Sequence, residues 1–226
     1  MRVIDYRVIS IGTLSSHPLW NEPPAVRTPH ATTSLVRAAD KVLLVDPALP
    51  PQALAARLHE RSGLRPVDVT DVFLTNFRPA HRGGVGLFEH ARCWIGEGER
   101  EAVGQYLLEQ FERAGDESTR QIIRGEIDLL RRFEPAPDRF MPGVDLFPLP
   151  GYTPGTCGLL LSLPSATVLI ASDAVPTAEH LERGQVLGGA YDTRQAMDSF
   201  REAIEIADWI VPGHDNVVPN MTRRLM

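Results

Sequence analysis

The feature that most constrains this chain is an apolar, strand-forming run that stops abruptly in a polar loop. Val72-Phe73-Leu74 gives way to Thr75-Asn76-Phe77-Arg78-Pro79-Ala80-His81-Arg82-Gly83-Gly84. Short runs of β-branched and aromatic residues with such boundaries are buried strands, and the paired glycines open an amphipathic segment from Val85 to His90. The loop therefore joins a strand to a short helix. Upstream, Val3, Tyr6, Val8 and Ile9 predict a first strand, and Ser34 to Val36 with Val42 to Val45 predict a hairpin turning near Asp40 and ended by Asp46-Pro47. Leu14 to Pro29 holds four prolines, His17 and Trp20, with His30 directly after, which fits an irregular loop. Leu54 and Leu58 mark a helix over Gln52 to Ser62 with a stop at Gly63.

The second half continues the alternation of helices and strands. Glu97 to Phe133 reads as two helices broken at Gly115-Asp116, with Val103, Leu107, Leu108 and Phe111 on one buried face and Ile122, Ile123, Ile127 and Leu130 on another. Pro135, Pro137 and Pro142 close that region, and strands follow at Val144 to Leu149, Leu159 to Leu163 and Thr167 to Ser172. Asp192 with Gln195 resembles a capping pair for a last helix that buries Ala196, Phe200, Ala203, Ile204 and Ala207. Periodicity alone supports a mixed α and β domain.

Four ordered stretches carry a resemblance to the metallo-β-lactamase superfamily. Its strand-end loop T-H-x-H-x-D-H-x-G-G is matched at Thr75, His81, Gly83 and Gly84, while Asn76, Arg78 and Ala80 stand where two histidines and an aspartate belong. Pro150-Gly151-Tyr152-Thr153-Pro154-Gly155-Thr156 resembles P-G-H-T-P-G-H, with Tyr152 and Thr156 in place of histidines. Val168 to Ala174 is similar to the strand ending in the bridging aspartate, here Asp173, and Ile210 to His214 to the strand ending in the last histidine. The resemblance implies a four-layer αββα sandwich of the α/β class, with the Leu14 to Pro29 loop over the site.

It also implies a reduced site. The family holds two metals with five histidines and two carboxylates; three of those seven survive as His81, Asp173 and His214. Asn76, Arg78 and Tyr152 offer a neutral amide, a guanidinium that cannot coordinate and a phenol that is costly to ionise. The remaining triad is enough for one Zn or Fe ion, so the expected cofactor is none or one such ion. Arg78 opposes that ion, since like charges about 4 Å apart repel by roughly 4 kcal/mol in a partly solvated pocket. Instead it predicts a pairing of Arg78 with Asp173, with Tyr152 either filling the vacated volume or donating to a bound oxyanion. His81 and His214 have two readings: hydrogen-bonded loop ends, or ligands of a mononuclear site. His17 and His30 are the nearby reserve ligands, expected to be solvent-exposed; His59 lies on a helix surface, His90 ends a helix, and His180 is placed in a loop. Asp215 and Asn216 adjoin His214 and have two readings, orienting that ring or forming an ordinary turn.

Two functions follow. One is a pocket that has lost metal-dependent hydrolysis and holds a small anionic ligand through Asn76, Arg78 and Tyr152; the other is a mononuclear hydrolase of lactones, thioesters or related esters using His81, Asp173 and His214. The 226 residues are read as one domain, 1–226. A formal charge of -6 and a pI near 5.6 argue against nucleic acid as a partner, and Arg131-Arg132 and Arg223-Arg224 are isolated pairs. No apolar run approaches membrane-spanning length and Met1 to Trp20 lacks the pattern of a secretory signal, so the expected compartment is the cytoplasm. Cys93 and Cys157 have neither metal nor redox spacing and read as buried hydrophobes. The 97–133 helices carry no recognisable binding code, and nothing in the sequence fixes an oligomeric state.

Overall fold

The computed structural model describes residues 4–38 and 40–222. Val3, Arg223 and Arg224 lie outside them. One sheet sets β1 (Asp5–Ser10), β2 (Thr33–Ala38), β3 (Lys41–Val45), β4 (Asp71–Leu74), β5 (Arg92–Ile95) and β6 (Phe133–Pro135) side by side in chain order. β1 to β3 pair antiparallel and β3 to β6 run parallel. In the other sheet the order is β12 (Val218–Pro219), β11 (Trp209–Pro212), β10 (Thr167–Ser172), β9 (Cys157–Ser162), β8 (Val144–Pro148) and β7 (Arg139–Met141). Here β10 and β11 are parallel and their flanking pairs antiparallel.

Strand alternation assigns each side chain to a layer. Along β3, Leu43 and Val45 face the space between the sheets, whereas Leu44 faces α1 (Pro51–Ser62) through Leu54 and Leu58. Along β4, Phe73 points inward between the sheets and Val72 and Leu74 outward. In the second sheet Val168, Ile170 and Val211 meet Phe73, and the alternate residues Leu169, Ala171 and Ile210 pack on Phe200 and Ala203 of α5 (Thr193–Ile206). Strands buried on both faces read as continuous apolar runs for this reason. Three apolar cores thus separate four layers, helices on the outside and two sheets within, as the sandwich requires.

The helical region divides where expected, into α2 (Glu97–Arg113) and α3 (Glu117–Arg131), with the Asp116 side chain capping the second. Its apolar faces are narrower than the periodicity suggested. Leu107 and Leu130 are buried, but Leu108 and Ile122 are exposed, because the pair lies against one end of the sheet and contacts it with a single stripe per helix. The segment after Gly84 is one 3₁₀ turn, Val85–Phe88, rather than a longer helix. Short strands β5, β6, β7 and β12 were not anticipated; Pro135 and Pro219 both sit on edge strands, where a missing amide leaves no ladder bond unmade. Cys93 and Cys157 are free and buried. Among the described residues, no helix is long and apolar enough to cross a membrane.

Candidate metal centre and ligand pocket

The polar residues gather at the carboxyl ends of two parallel strand pairs. Asp46 follows β3, the Thr75 to His81 loop follows β4, Asp173 follows β10 and His214 follows β11. Ligand sites in α/β sheets form at such ends, where the backbone leaves the ladder. Asp46 and Ser172 are both held in the left-handed region, at φ 48° and 53°. For residues with a Cβ that is a strained conformation, tolerated where the surroundings over-determine it. At Asp46 the surroundings are visible: its carboxylate accepts from Thr75 N at 2.9 Å and Thr75 Oγ1 at 2.7 Å. The Thr75 hydrogen is used there, so Ser172 Oγ, 2.6 Å away, donates to Thr75.

His81 lies fully buried between two carboxylates. Its Nδ1 is 3.1 Å from Asp46 Oδ2 and its Nε2 is 3.0 Å from Asp173 Oδ2. Burial alone would push the ring toward its neutral form, but the charges of Asp46 and Asp173 and the hydrogen bonds to them outweigh it and raise its pKa to about 10. The ring is an imidazolium at neutral pH. For Asp173 burial opposes ionisation, and His81 with His214 more than reverses it, holding the carboxyl well below the usual range. His214 reaches Asp173 Oδ1 with Nε2 at 2.9 Å and donates Nδ1–H to the His30 carbonyl at 3.0 Å. Asn76 completes the ring of donors: its Nδ2 gives Asp173 Oδ2 a bond of 2.9 Å, while its Oδ1 accepts from Arg78 N at 3.0 Å and so fixes which way the amide faces.

The expected pairing of Arg78 with Asp173 is not formed. Arg78 is exposed, its guanidinium donates to Tyr152 Oη and lies 4.5 Å over that ring, and Asn76 takes the place beside Asp173. The physical reason lies in the loop: Pro79 follows Arg78, which stays extended at φ -65° and ψ 146° with its side chain directed along the rim. Tyr152 is half-buried, and burial raises its phenol above the ordinary value.

The turn bearing Tyr152 keeps its shape through residues that hold no metal. Gly151 has φ 130°, and a Cβ there would sit 2.1 Å from Ala196 N; one on Gly155 would sit 1.9 Å from Glu99 N. Both glycines let backbone meet backbone. Thr156 turns inward to Thr153, at 2.5 Å between hydroxyls. Glu99, in the first turn of α2 and buried, accepts from Phe77 N at 3.0 Å, Thr153 Oγ1 at 2.6 Å and Gly155 N at 3.1 Å. One carboxylate therefore clamps both motif loops to the helical pair.

The Leu14 to Pro29 loop does lie beside the site, and there two expectations reverse. His17 is buried, stacked on Trp20 at 4.1 Å, with Nε2 3.2 Å from Thr177 Oγ1 and 3.3 Å from Glu179 Oε2. His180 belongs to the helix α4 (Ala178–Arg183) and is buried; desolvation, with the nearby His17, lowers its pKa to about 4. His30 supplies a backbone carbonyl to His214. Asp215 does not orient His214: its carboxylate caps Ala178 N at 3.1 Å and Asn216 N at 2.7 Å.

Whether this donor set suits a metal can be judged from its geometry. One ligand atom each from His81, Asp173 and His214 lie within 4.8 Å of one another, the one such cluster among the described residues. Each ring has its Nδ1 tied to an oxygen, which aims Nε2 at the common point, the way ligating imidazoles are oriented by outer partners. The triad fits one ion. The other half of the site offers a neutral amide oxygen at Asn76 that already accepts from Arg78 N, a guanidinium at Arg78 with no lone pair to give, and at Tyr152 a phenol that burial makes harder to ionise. Sequence reading missed Asp46, Ser172 and Glu99. Asp46 carried a signal, an acid closing an apolar strand like Asp173; Glu99 looked like one more exposed helical acid.

The likenesses to known proteins agree with the fold. A family model described as the metallo-beta-lactamase superfamily matches residues 27–214. An N-acyl homoserine lactonase of Bacillus cereus is 28% identical over 162 residues, covering 69% of this chain and 60% of the lactonase. The chain thus spans 60% of the length of the curated relatives it matches. Among solved structures, a Thermotoga maritima protein assigned to the metallo-beta-lactamases superimposes with a TM-score of 0.69 at 20% identity, over 96% of this chain and 99% of that one. AidC, a dizinc quorum-quenching lactonase in complex with a product, does so with a TM-score of 0.62 at 20% identity, over 81% and 72%. At such identities the structural likeness speaks for the fold.

Proposed function

The chain belongs to the metallo-β-lactamase superfamily, and from that premise we propose that it keeps the family pocket while its own side chains occupy the place of the metals, so that it binds a small anion without metal-dependent hydrolysis. The observation that carries this reading is the closed circuit at Asp173. Oδ2 accepts from Asn76 and lies 3.0 Å from His81 Nε2, and Oδ1 lies 2.9 Å from His214 Nε2. An imidazolium at His81 has no lone pair to offer, so metal uptake would require it to lose a proton held by two buried carboxylates. The positive charge that metals supply elsewhere in the family is present as His81 within the site and as Arg78 at its rim. An anion would meet Arg78 and the Tyr152 hydroxyl.

A second reading is favoured by the orientation of the two imidazoles and by the lactonase relatives. There His81, Asp173 and His214 would hold one divalent ion, whose chemistry is to make hydroxide available at neutral pH. The chain's own part would be to fix both rings through Asp46 and the His30 carbonyl. Assay of an N-acyl homoserine lactone with and without added Zn²⁺ separates the two. The first reading predicts ring opening at the uncatalysed rate in both; zinc-dependent turnover that disappears in His214→Ala would establish the second.

A further inference from the structure

Beside the rim, α2 and the two motif loops enclose a groove of about 660 Å³, the size of a small-molecule site. Its walls are mainly apolar: Phe77, Val103, Leu107 and Pro154 line it, and Tyr106 and Tyr191 flank it while 59% and 75% exposed. Along α2 the lining runs from Glu99 to Glu109, about 15 Å at 1.5 Å per residue. The charges on these walls are unequally matched. Arg82 pairs with Glu126 and donates to Phe77 O, Glu99 is saturated by three donors, and Glu109 lies 3.9 Å from Arg113. Arg78 has no carboxylate partner among the described residues. Its guanidinium meets the neutral phenol of Tyr152, whose oxygen accepts and whose own hydrogen is uncommitted.

We infer that the groove binds an amphiphilic monocarboxylate, its head held by Arg78 and the Tyr152 hydroxyl and its apolar body laid along α2 between Tyr106 and Tyr191. This rests on the anion-binding reading above and adds the class of ligand. One guanidinium without a carboxylate partner at the rim matches one negative charge. The apolar side chains Phe77, Val103, Leu107 and Pro154 along the groove select an apolar body.

Calorimetric titration of the whole chain with acetate, hexanoate, decanoate and decanol tests it. Affinity should rise by up to roughly fourfold per buried methylene from acetate toward decanoate, with a negative heat-capacity change, and decanol should bind at least tenfold more weakly than decanoate. Arg78→Gln should weaken decanoate at least tenfold, and Tyr106→Glu should weaken decanoate but not acetate. Both residues are exposed, so a circular-dichroism melt near that of the parent certifies the fold. If acetate binds through Arg78 and decanoate binds no tighter, the groove assignment falls and the anion-binding reading survives. Equal binding of decanoate to the parent and Arg78→Gln, or equal binding of decanol and decanoate, removes Arg78 from the head-group role and overturns the inference. Failure of every carboxylate to bind overturns both.

Discussion

Asp173 shows how much depends on one carboxylate in a dry site. It is 2% exposed, accepts from Asn76 and lies against the Nε2 atoms of His81 and His214. Asp173→Ala leaves a buried imidazolium with one counter-charge fewer, and a urea unfolding curve at neutral pH should show a loss of about 3 to 5 kcal/mol. Arg78→Ala should do far less, about 1 kcal/mol or under, because the residue is exposed and its partner is an uncharged phenol. His180 supplies a pH test. Its folded pKa is lowered to about 4 from an ordinary 6.5, so between those values the unfolded chain takes up a proton that the folded one refuses. Stability should be independent of this residue above about pH 6.5, fall as pH drops toward 4, and level off below. The fall should be shallower in His180→Gln, measured by thermal melts across that range. At this scale the sequence disclosed which residues differ from the family motif but not which of them meets Asp173: Arg78 was the evident cation, and Asn76, of ordinary type, does the hydrogen bonding because Pro79 steers Arg78 outward.

Among the elements, Glu99 joins the helical pair to the site. Its three accepted bonds bind the first turn of α2 to both motif loops. Glu99→Ala strands three buried donors, each costing about 1 to 3 kcal/mol when unmet, so the chain should unfold at markedly lower urea and both loops should gain amide exchange. Gly155→Ala should act in the same direction, since the new methyl meets the Glu99 backbone. Elements with long periodic patterns, α1 to α3 and α5, and the apolar strands were readable directly. The edge strands β6, β7 and β12 were not, since three or fewer residues carry no period, and the burial of His17 and His180 depends on the approach of α4 to the proline-rich loop, a tertiary event.

In the whole molecule, two sheets bring four strand ends, distant in sequence, to one edge, and that assembly is held from outside the site. The three apolar cores and the backbone-to-backbone approaches at Gly151 and Gly155 explain why: they hold the loops by packing and clamp bonds rather than through an ion. The fold and its family were legible from motif spacing, because strand-end glycines and prolines serve the architecture as well as the chemistry. The electrostatic state of the site was not, since it arises from Asp46, which no motif had marked as part of the site. If the proposed circuit of His81, Asp173, His214 and Asn76 takes the place of metals, elemental analysis of protein purified without chelator and dialysed with Zn²⁺ should find metal far below one ion per chain, whereas one or more ions per chain, lost in His214→Ala, would overturn that assignment.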